Sequence, residues 1–179
     1  MKILKEIGLN RMVKYMVYGL WDFVFHLLPY SPLRVFWLKF GGAKLGKNCV
    51  IDRVVFFNLD RTGLQGLSLK DNVYLGTGVT LDLAGKIIIK NQVTVSANAT
   101  ILSHHSVGYS DHPLLKYYPK KIFTTTIESG SVLGVGSIIL PGITIGPESL
   151  VAAGSVVRVD VPSHKMVAGV PAVVKKDLK

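Results

Sequence analysis

The chain has one cysteine, Cys49, only 11 acidic residues among 179, and no uninterrupted apolar run of membrane-spanning length. A lone cysteine excludes an intramolecular disulfide and a cysteine-based metal cluster, and it suggests a reducing cytoplasm. The most apolar early stretch, Met16 to Leu28, is broken by Asp22 and His26 and falls short of the roughly 20 residues that cross a bilayer. It also lacks a small-residue cleavage site, so neither a transmembrane helix nor a signal peptide is expected. The shortage of acids leaves 21 lysines and arginines in excess, for a formal charge of +10. Such a balance favours anionic partners: nucleic acid, lipid headgroups or a phosphorylated cofactor. No zinc-finger spacing, aromatic RNA-binding motif or basic heptad region accompanies it, and the lysines stand singly or in pairs such as Lys120–Lys121 and Lys175–Lys176. Nucleic-acid binding is therefore not expected.

What the chain has in quantity is apolar sequence, 49% of residues, broken up by 18 glycines. This length suits one domain with a short appendage, and this composition suits many short elements rather than a few long helices. The appendage is residues 1–42. From Met12 to Leu27, Met12, Met16, Leu20, Phe23, Val24 and Leu27 recur at helical spacing on one face, with Arg11, Lys14 and Asp22 away from it. Pro29 ends this helix. Ser31 as N-cap, Pro32 at the first helical position and the Gly41–Gly42 stop define a second one. The second arm is apolar almost all round. Packing as a cap on the main body is its plain reading, and contact with a neighbouring subunit or peripheral contact with a membrane through residues 1–40 is the alternative.

After Gly42 the period changes to six. Leu69, Leu75, Leu81 and Ile87 follow one another at this step, then, after a two-residue shift, Ile89, Val95 and Ile101. The clearest run is Ile127, Leu133, Ile139, Ile145, Val151 and Val157, with small or polar residues such as Ser131, Ser137, Ser149 and Ser155 between. Neither a helix nor a flat strand produces this phase, because six residues per step means one short strand and one turn. The spacing predicts a parallel β-helix over residues 43–172, with a tail at 173–179. Its aliphatic residues would point inward in columns, and Gly76, Gly78, Gly134, Gly136, Gly142 and Gly146 would serve the turns.

The repeat lapses once at length, over 102–126, where His104, His105, His112, Tyr109, Asp111, Tyr117 and Tyr118 gather. A long insertion in a regular solenoid is commonly functional, and this composition argues against disorder. The chemistry is expected there.

The stretch Val132 to Val157 (VLGVGSIILPGITIGPESLVAAGSVV), with Asp160-Val-Pro162 and Val167 to Ala172 (VAGVPA), resembles the hexapeptide-repeat acyltransferases. The branch is that of the galactoside, maltose and polysaccharide O-acetyltransferases, and the likeness covers about three quarters of the chain. It implies a left-handed coil, a homotrimer, and acetyl-coenzyme A lying in the groove between neighbouring β-helices. It also implies an O-acetyltransferase in which a loop histidine acts as general base on the hydroxyl of a small, saccharide-like acceptor.

The family's histidine follows a strand of the form Ala99 to His104 (ATILSH), which makes His104 the first candidate and His105 the second. His112, before Pro113, resembles the His-Pro pair of the galactoside branch and is a third candidate or an acceptor contact. Asn98 falls where sugar-acetylating relatives hold an acceptor-binding asparagine, and it reads equally well as a turn residue. For the cofactor, the resemblance points to Gly134, Val135, Ala152 and Ala153 along the pantetheine arm, with Arg158 and Lys175 as charges for its phosphates. Relatives commonly have tryptophan at the place of Val132 and a basic residue at that of Val173.

Two other readings use the same fold. A γ-type carbonic anhydrase would bind zinc through three histidines, but His104, His105 and His112 share one loop, and neighbours in an extended segment point to opposite sides. No metal site is expected. A non-catalytic scaffold would leave the histidine-bearing loop unexplained.

Overall fold

The computed structural model describes residues 8–179; the part of the N-terminal segment in residues 1–7 lies outside the described residues. Helix α1 (Leu9–Leu27) and helix α2 (Ser31–Phe40) precede a triangular coil of three parallel sheets. Sheet 1 holds Lys44–Leu45, Leu67–Leu69, Lys86–Ile89, Thr124–Ile127 and Thr144–Ile145. Sheet 2 runs from Val50–Ile51 through Tyr74–Leu75, Thr94–Val95, Val132–Leu133 and Leu150–Val151 to Lys165–Ala168. Sheet 3 holds Val55–Phe57, Thr80–Asp82, Thr100–Ile101, Ile138–Ile139 and Val156–Val157.

The six-residue phase maps onto the three faces, with one column of aliphatic residues in register on each. Leu69, Ile89, Ile127 and Ile145 are in register in sheet 1. Leu75, Val95, Leu133, Val151 and Val167 form the column of sheet 2, and Leu81, Ile101, Ile139 and Val157 that of sheet 3. Each of these side chains is at most 3% exposed, and burying one contributes about 1.5–3 kcal/mol. The turns repeat as well. At the corner between sheets 2 and 3, Gly78, Asn98, Gly136 and Gly154 all take positive φ, a conformation open to glycine and tolerated by asparagine.

The insertions leave the coil at one corner, between sheets 3 and 1. The first carries the short helix α3 (Leu59–Thr62); the second is the two-residue slip around 83–85; the third is the long loop. The slip carries Ile87 and Ile89 into one strand, both fully buried, and Ile89 stands in register with Leu69. The long loop ends at Phe123 rather than Thr126, because Thr124–Ile127 pairs with Lys86–Ile89 and is already coil. The expected tail is also a strand: Val173–Asp177 pairs antiparallel with Lys165–Ala168 and extends sheet 2.

The N-terminal helices correct two expectations. Four residues of the predicted apolar face of α1, Met16, Leu20, Phe23 and Leu27, are exposed. The packed face is the aromatic one. Trp21 stacks on Phe25 and Trp37 at ring separations of 5.7 and 5.9 Å, and Phe25 meets Phe56 of the coil at 5.4 Å. Broad rings bury more area than the aliphatic stripe opposite and so decide which side faces the coil. Ser31 is not the N-cap, which is Tyr30; its hydroxyl accepts from Ile51 N–H (2.7 Å) and ties α2 to the coil. Beside it the buried Arg34 donates to the carbonyls of Leu28, Pro29 and Ile51, which satisfies an otherwise costly interior guanidinium.

Leu133→Ala should destabilise the fold by about 2–5 kcal/mol, because the columns above and below cannot collapse into the space. The exposed neighbour Val135→Ala should cost less than about 0.5 kcal/mol. Urea unfolding of the two variants checks the contrast.

Candidate active site

The insertion corner builds one polar constellation. Asp82 closes its strand in sheet 3, directly after the core residue Leu81, and its side chain has no exposure. Its Oδ1 accepts from Asn58 Nδ2 (2.7 Å) and from Ala84 N–H (3.2 Å). Its Oδ2 accepts from the backbone N–H groups of Ser103 (2.9 Å) and His104 (3.0 Å), and from His104 Nδ1 at 2.6 Å. Ser103 Oγ donates to the Asp82 carbonyl (2.5 Å) and accepts from Gly85 N–H (2.8 Å), fastening the start of the loop to the slip below it.

Burial alone would push the Asp82 carboxyl up, but the hydrogen bonds from His104, Ser103 and Asn58 outweigh it and hold the pKa below the ordinary aspartate value. An ionised Asp82 only accepts, so the proton of a neutral His104 sits on Nδ1 and Nε2 carries the lone pair. The His104 side chain retains 18% exposure. The arrangement is a histidine oriented by a buried carboxylate, which is the form of a general base.

The loop base is closed by backbone hydrogen bonds. His104–His105 pairs antiparallel with Lys121–Ile122, and Phe123 N–H donates to Ser103 O (2.7 Å). The other candidate histidines are otherwise engaged. His105 Nε2 bonds the Pro119 carbonyl (2.9 Å) and its ring packs on Phe123. His112 Nδ1 accepts from Leu114 N–H (3.1 Å) and caps the short 3-10 helix Pro113–Lys116. The three do not converge, and no group of three metal-ligating residues occurs among the described residues.

Asn98 lies in the turn between sheets 2 and 3, at φ 57 and against Gly78, on a different corner from His104. Gly134, Val135, Ala152 and Ala153 share that corner. The coils approach closely there: a Cβ added at Gly134 would lie 2.5 Å from Ala153 N and 2.7 Å from Val151 O. Beside them the surface is open, since a Cβ at Gly136 or Gly154 would meet nothing within 4 Å. Small side chains over an open corner suit a long, thin ligand arm. Arg158 follows the last strand of sheet 3 and Lys175 lies on the strand that extends sheet 2, both exposed. One chain therefore does not bring the histidine and the open corner together.

Residues 124–158 match the hexapeptide repeat of succinyl-transferase. Over that stretch the chain is similar to the hexapeptide-repeat family. Over 137 residues, 76% of its length, it is 31% identical to the galactoside O-acetyltransferase of Lactococcus lactis; over 140 residues it is 27% identical to that of Escherichia coli K12. It spans 63% and 64% of those relatives, just under two thirds of their length. The chain also shares its fold with a hexapeptide-repeat acetyltransferase from Vibrio cholerae (TM-score 0.82, 22% identity, 99% of this chain and 98% of the other). A galactoside acetyltransferase solved in complex with coenzyme A is similar too (TM-score 0.76, 24% identity, 97% and 85% covered). The shared fold is the left-handed parallel β-helix.

Asp82 and Asn58 were not among the residues singled out from sequence. The readable sign was the break in phase: an aspartate directly after a core leucine, at the two-residue slip between Leu81 and Ile89.

Asp82 has a folded-state pKa below its unfolded one, so its charge stabilises the fold at neutral pH, and this contribution is lost as pH falls through the folded value. Asp82→Asn should lower stability at pH 7 by about 2 kcal/mol, with the gap to the parent protein closing below about pH 4. Thermal melts of both proteins between those values check it, and a gap independent of pH would contradict an ionised Asp82.

Proposed function

We propose that this protein transfers an acetyl group from acetyl-coenzyme A to a hydroxyl of a sugar or related small acceptor. The observation that carries the reading is the buried Asp82 beneath His104, 2.6 Å from its Nδ1. The similarity to galactoside O-acetyltransferases supports the reaction class. His104 Nε2 takes the proton of the acceptor hydroxyl as that oxygen attacks the thioester carbonyl, and the Asp82 carboxylate holds the ring in this tautomer and stabilises the imidazolium that forms; the C–S bond then breaks, and coenzyme A leaves as its thiol with the proton returned from the imidazolium. The co-substrate supplies an activated thioester carbonyl. Gly134, Val135, Ala152 and Ala153 would lie along its pantetheine arm, and Arg158 and Lys175 would meet its phosphates.

His104 and the small-residue corner lie on different edges of one coil, so a site that uses both takes in a second copy. A cyclic homotrimer meets that need, each groove having a histidine from one copy and an open corner from the next. The exposed stripe of α1, including Leu20 and Phe23, together with the +10 charge, supports peripheral contact with an anionic membrane surface on its cytoplasmic side. No helix among the described residues is long and apolar enough to cross a membrane.

His104→Ala should reduce turnover by about two to four orders of magnitude with little change in coenzyme A affinity, whereas His105→Ala and His112→Ala should stay within about tenfold of the parent. Steady-state kinetics with a panel of saccharides tests this; full activity in all three variants would end the histidine-base mechanism. Light scattering should give a trimer, and Phe23→Glu should keep that mass while abolishing co-sedimentation with anionic vesicles. A monomeric mass, or undiminished sedimentation, contradicts the corresponding half of the assembly.

A further inference from the structure

Beside the histidine lies a basic cavity that neither the acetyl-transfer chemistry nor the β-helix requires. It has a volume of about 550 Å³ and is lined by Arg11 of α1, Arg61 of α3, and Ser106, Tyr109 and Lys120 of the long loop. Both of its walls are tied to the catalytic pair. The loop wall begins two residues after His104, and its far side returns through Lys121, which pairs with His105. The opposite wall follows Asn58, which donates to Asp82.

Among the described residues, Arg11, Arg61 and Lys120 converge here beside Asp60. The buried Asp60 is paired with Arg11 Nε, and its attraction for Lys120 is outweighed by burial and by the repulsion of Arg61 and Arg11. Among the described residues Arg61 Nε is buried with no hydrogen-bond partner, so the interior does not fully satisfy this guanidinium and its charge is left to the cavity side. Lys120 is pulled below its ordinary pKa, first by burial and then by Arg61 and Arg11. The fold gains nothing from crowding like charges, so the cluster marks a place for an anion. Forked guanidinium donors with a lysine alongside suit a tetrahedral, multiply charged phosphate better than a single carboxylate. The volume is within the range of small-molecule sites.

We propose that this cavity binds a phosphate or diphosphate carried by the acceptor, so that the substrate is a phosphorylated saccharide whose free hydroxyl is delivered to His104. The inference rests on the acetyl-transfer reading for the role of the acceptor, but not for the binding of the anion. Arg61 and Lys120 anchor the charged end, and the sugar extends along the loop base towards the imidazole.

Calorimetric titration of inorganic pyrophosphate, with no acetyl-coenzyme A present, should show binding to the parent protein. Arg61→Ala and Lys120→Ala should each weaken it by about tenfold, with recovery in Lys120→Arg. In transfer assays a nucleotide sugar, or the same sugar on a polyprenyl diphosphate in micelles, should be preferred over the neutral sugar by at least about tenfold in kcat/KM. Whichever of the two is preferred identifies the soluble or lipid-linked source. The cavity variants should raise KM for that acceptor rather than for acetyl-coenzyme A. If pyrophosphate does not bind while neutral sugars are acetylated, the phosphate site is refuted and acetyl transfer stands. If coenzyme A displaces pyrophosphate and the variants raise only its KM, the cavity serves the co-substrate and the inference falls. If pyrophosphate binds through Arg61 and Lys120 but no acceptor is acetylated, the proposed function falls and the acceptor assignment with it.

Discussion

The interior of this β-helix is built from columns of aliphatic side chains held in register from coil to coil, one column to each face, and everything else in the molecule is arranged around them. A column such as Leu75, Val95, Leu133 and Val151 is closed above and below by its own neighbours, at the usual spacing of about 4.8 Å between strands. An extra residue cannot be absorbed within a strand without throwing the next side chain to the wrong face. Insertions must therefore leave at a turn. All three large departures use the corner between sheets 3 and 1, so α3, the slip at 83–85 and the histidine loop are stacked on consecutive coils although they are far apart in sequence.

That stacking produces the candidate site. Asp82 is carried inward at the end of a sheet 3 strand, where a lone carboxylate would be expensive to bury. Five donors from Asn58, Ala84, Ser103 and His104 meet it there. Each donor comes from an insertion or from the turn that an insertion displaces. The same bonds that keep Asp82 ionised fix the direction of the imidazole, so stability and chemistry draw on one set of contacts. The N-terminal helix completes the corner by setting Arg11 beside α3 and the loop, and so turns a net excess of basic residues into a local one.

Much of this was legible in the sequence, for a physical reason. The six-residue phase is a local property, repeated often enough that no competing period survives, and the positions of Ile127 to Val157 could be read off as inward. The loop declared itself by losing the phase, and His104 stood out in it through the resemblance of Ala99 to His104 to the strand that precedes the family's histidine. Hydropathy does not choose the face of α1, because it marks the stripe of Met16, Leu20, Phe23 and Leu27 and the face of Trp21 and Phe25 alike as apolar, and only the shape of the coil surface decides between them. The end of the loop was set late for a similar reason, since Thr124 to Thr126 pair with Lys86–Ile89 through backbone groups that side-chain periodicity does not show.

The sequence by itself thus determined the coil, its columns of aliphatic residues, its glycine and asparagine turns, and the segment that breaks the phase and carries the candidate histidines. Tertiary structure alone decided which histidine is oriented, because the partner that orients His104 comes from the preceding coil and lies 22 residues away in sequence. It likewise decided that Arg11, Arg61 and Lys120, drawn from a helix, an insertion and a loop, face one cavity. Periodicity reports how each residue stands relative to its own strand. Which insertions lie beside one another depends on how many coils separate them, and that is fixed only when the columns close.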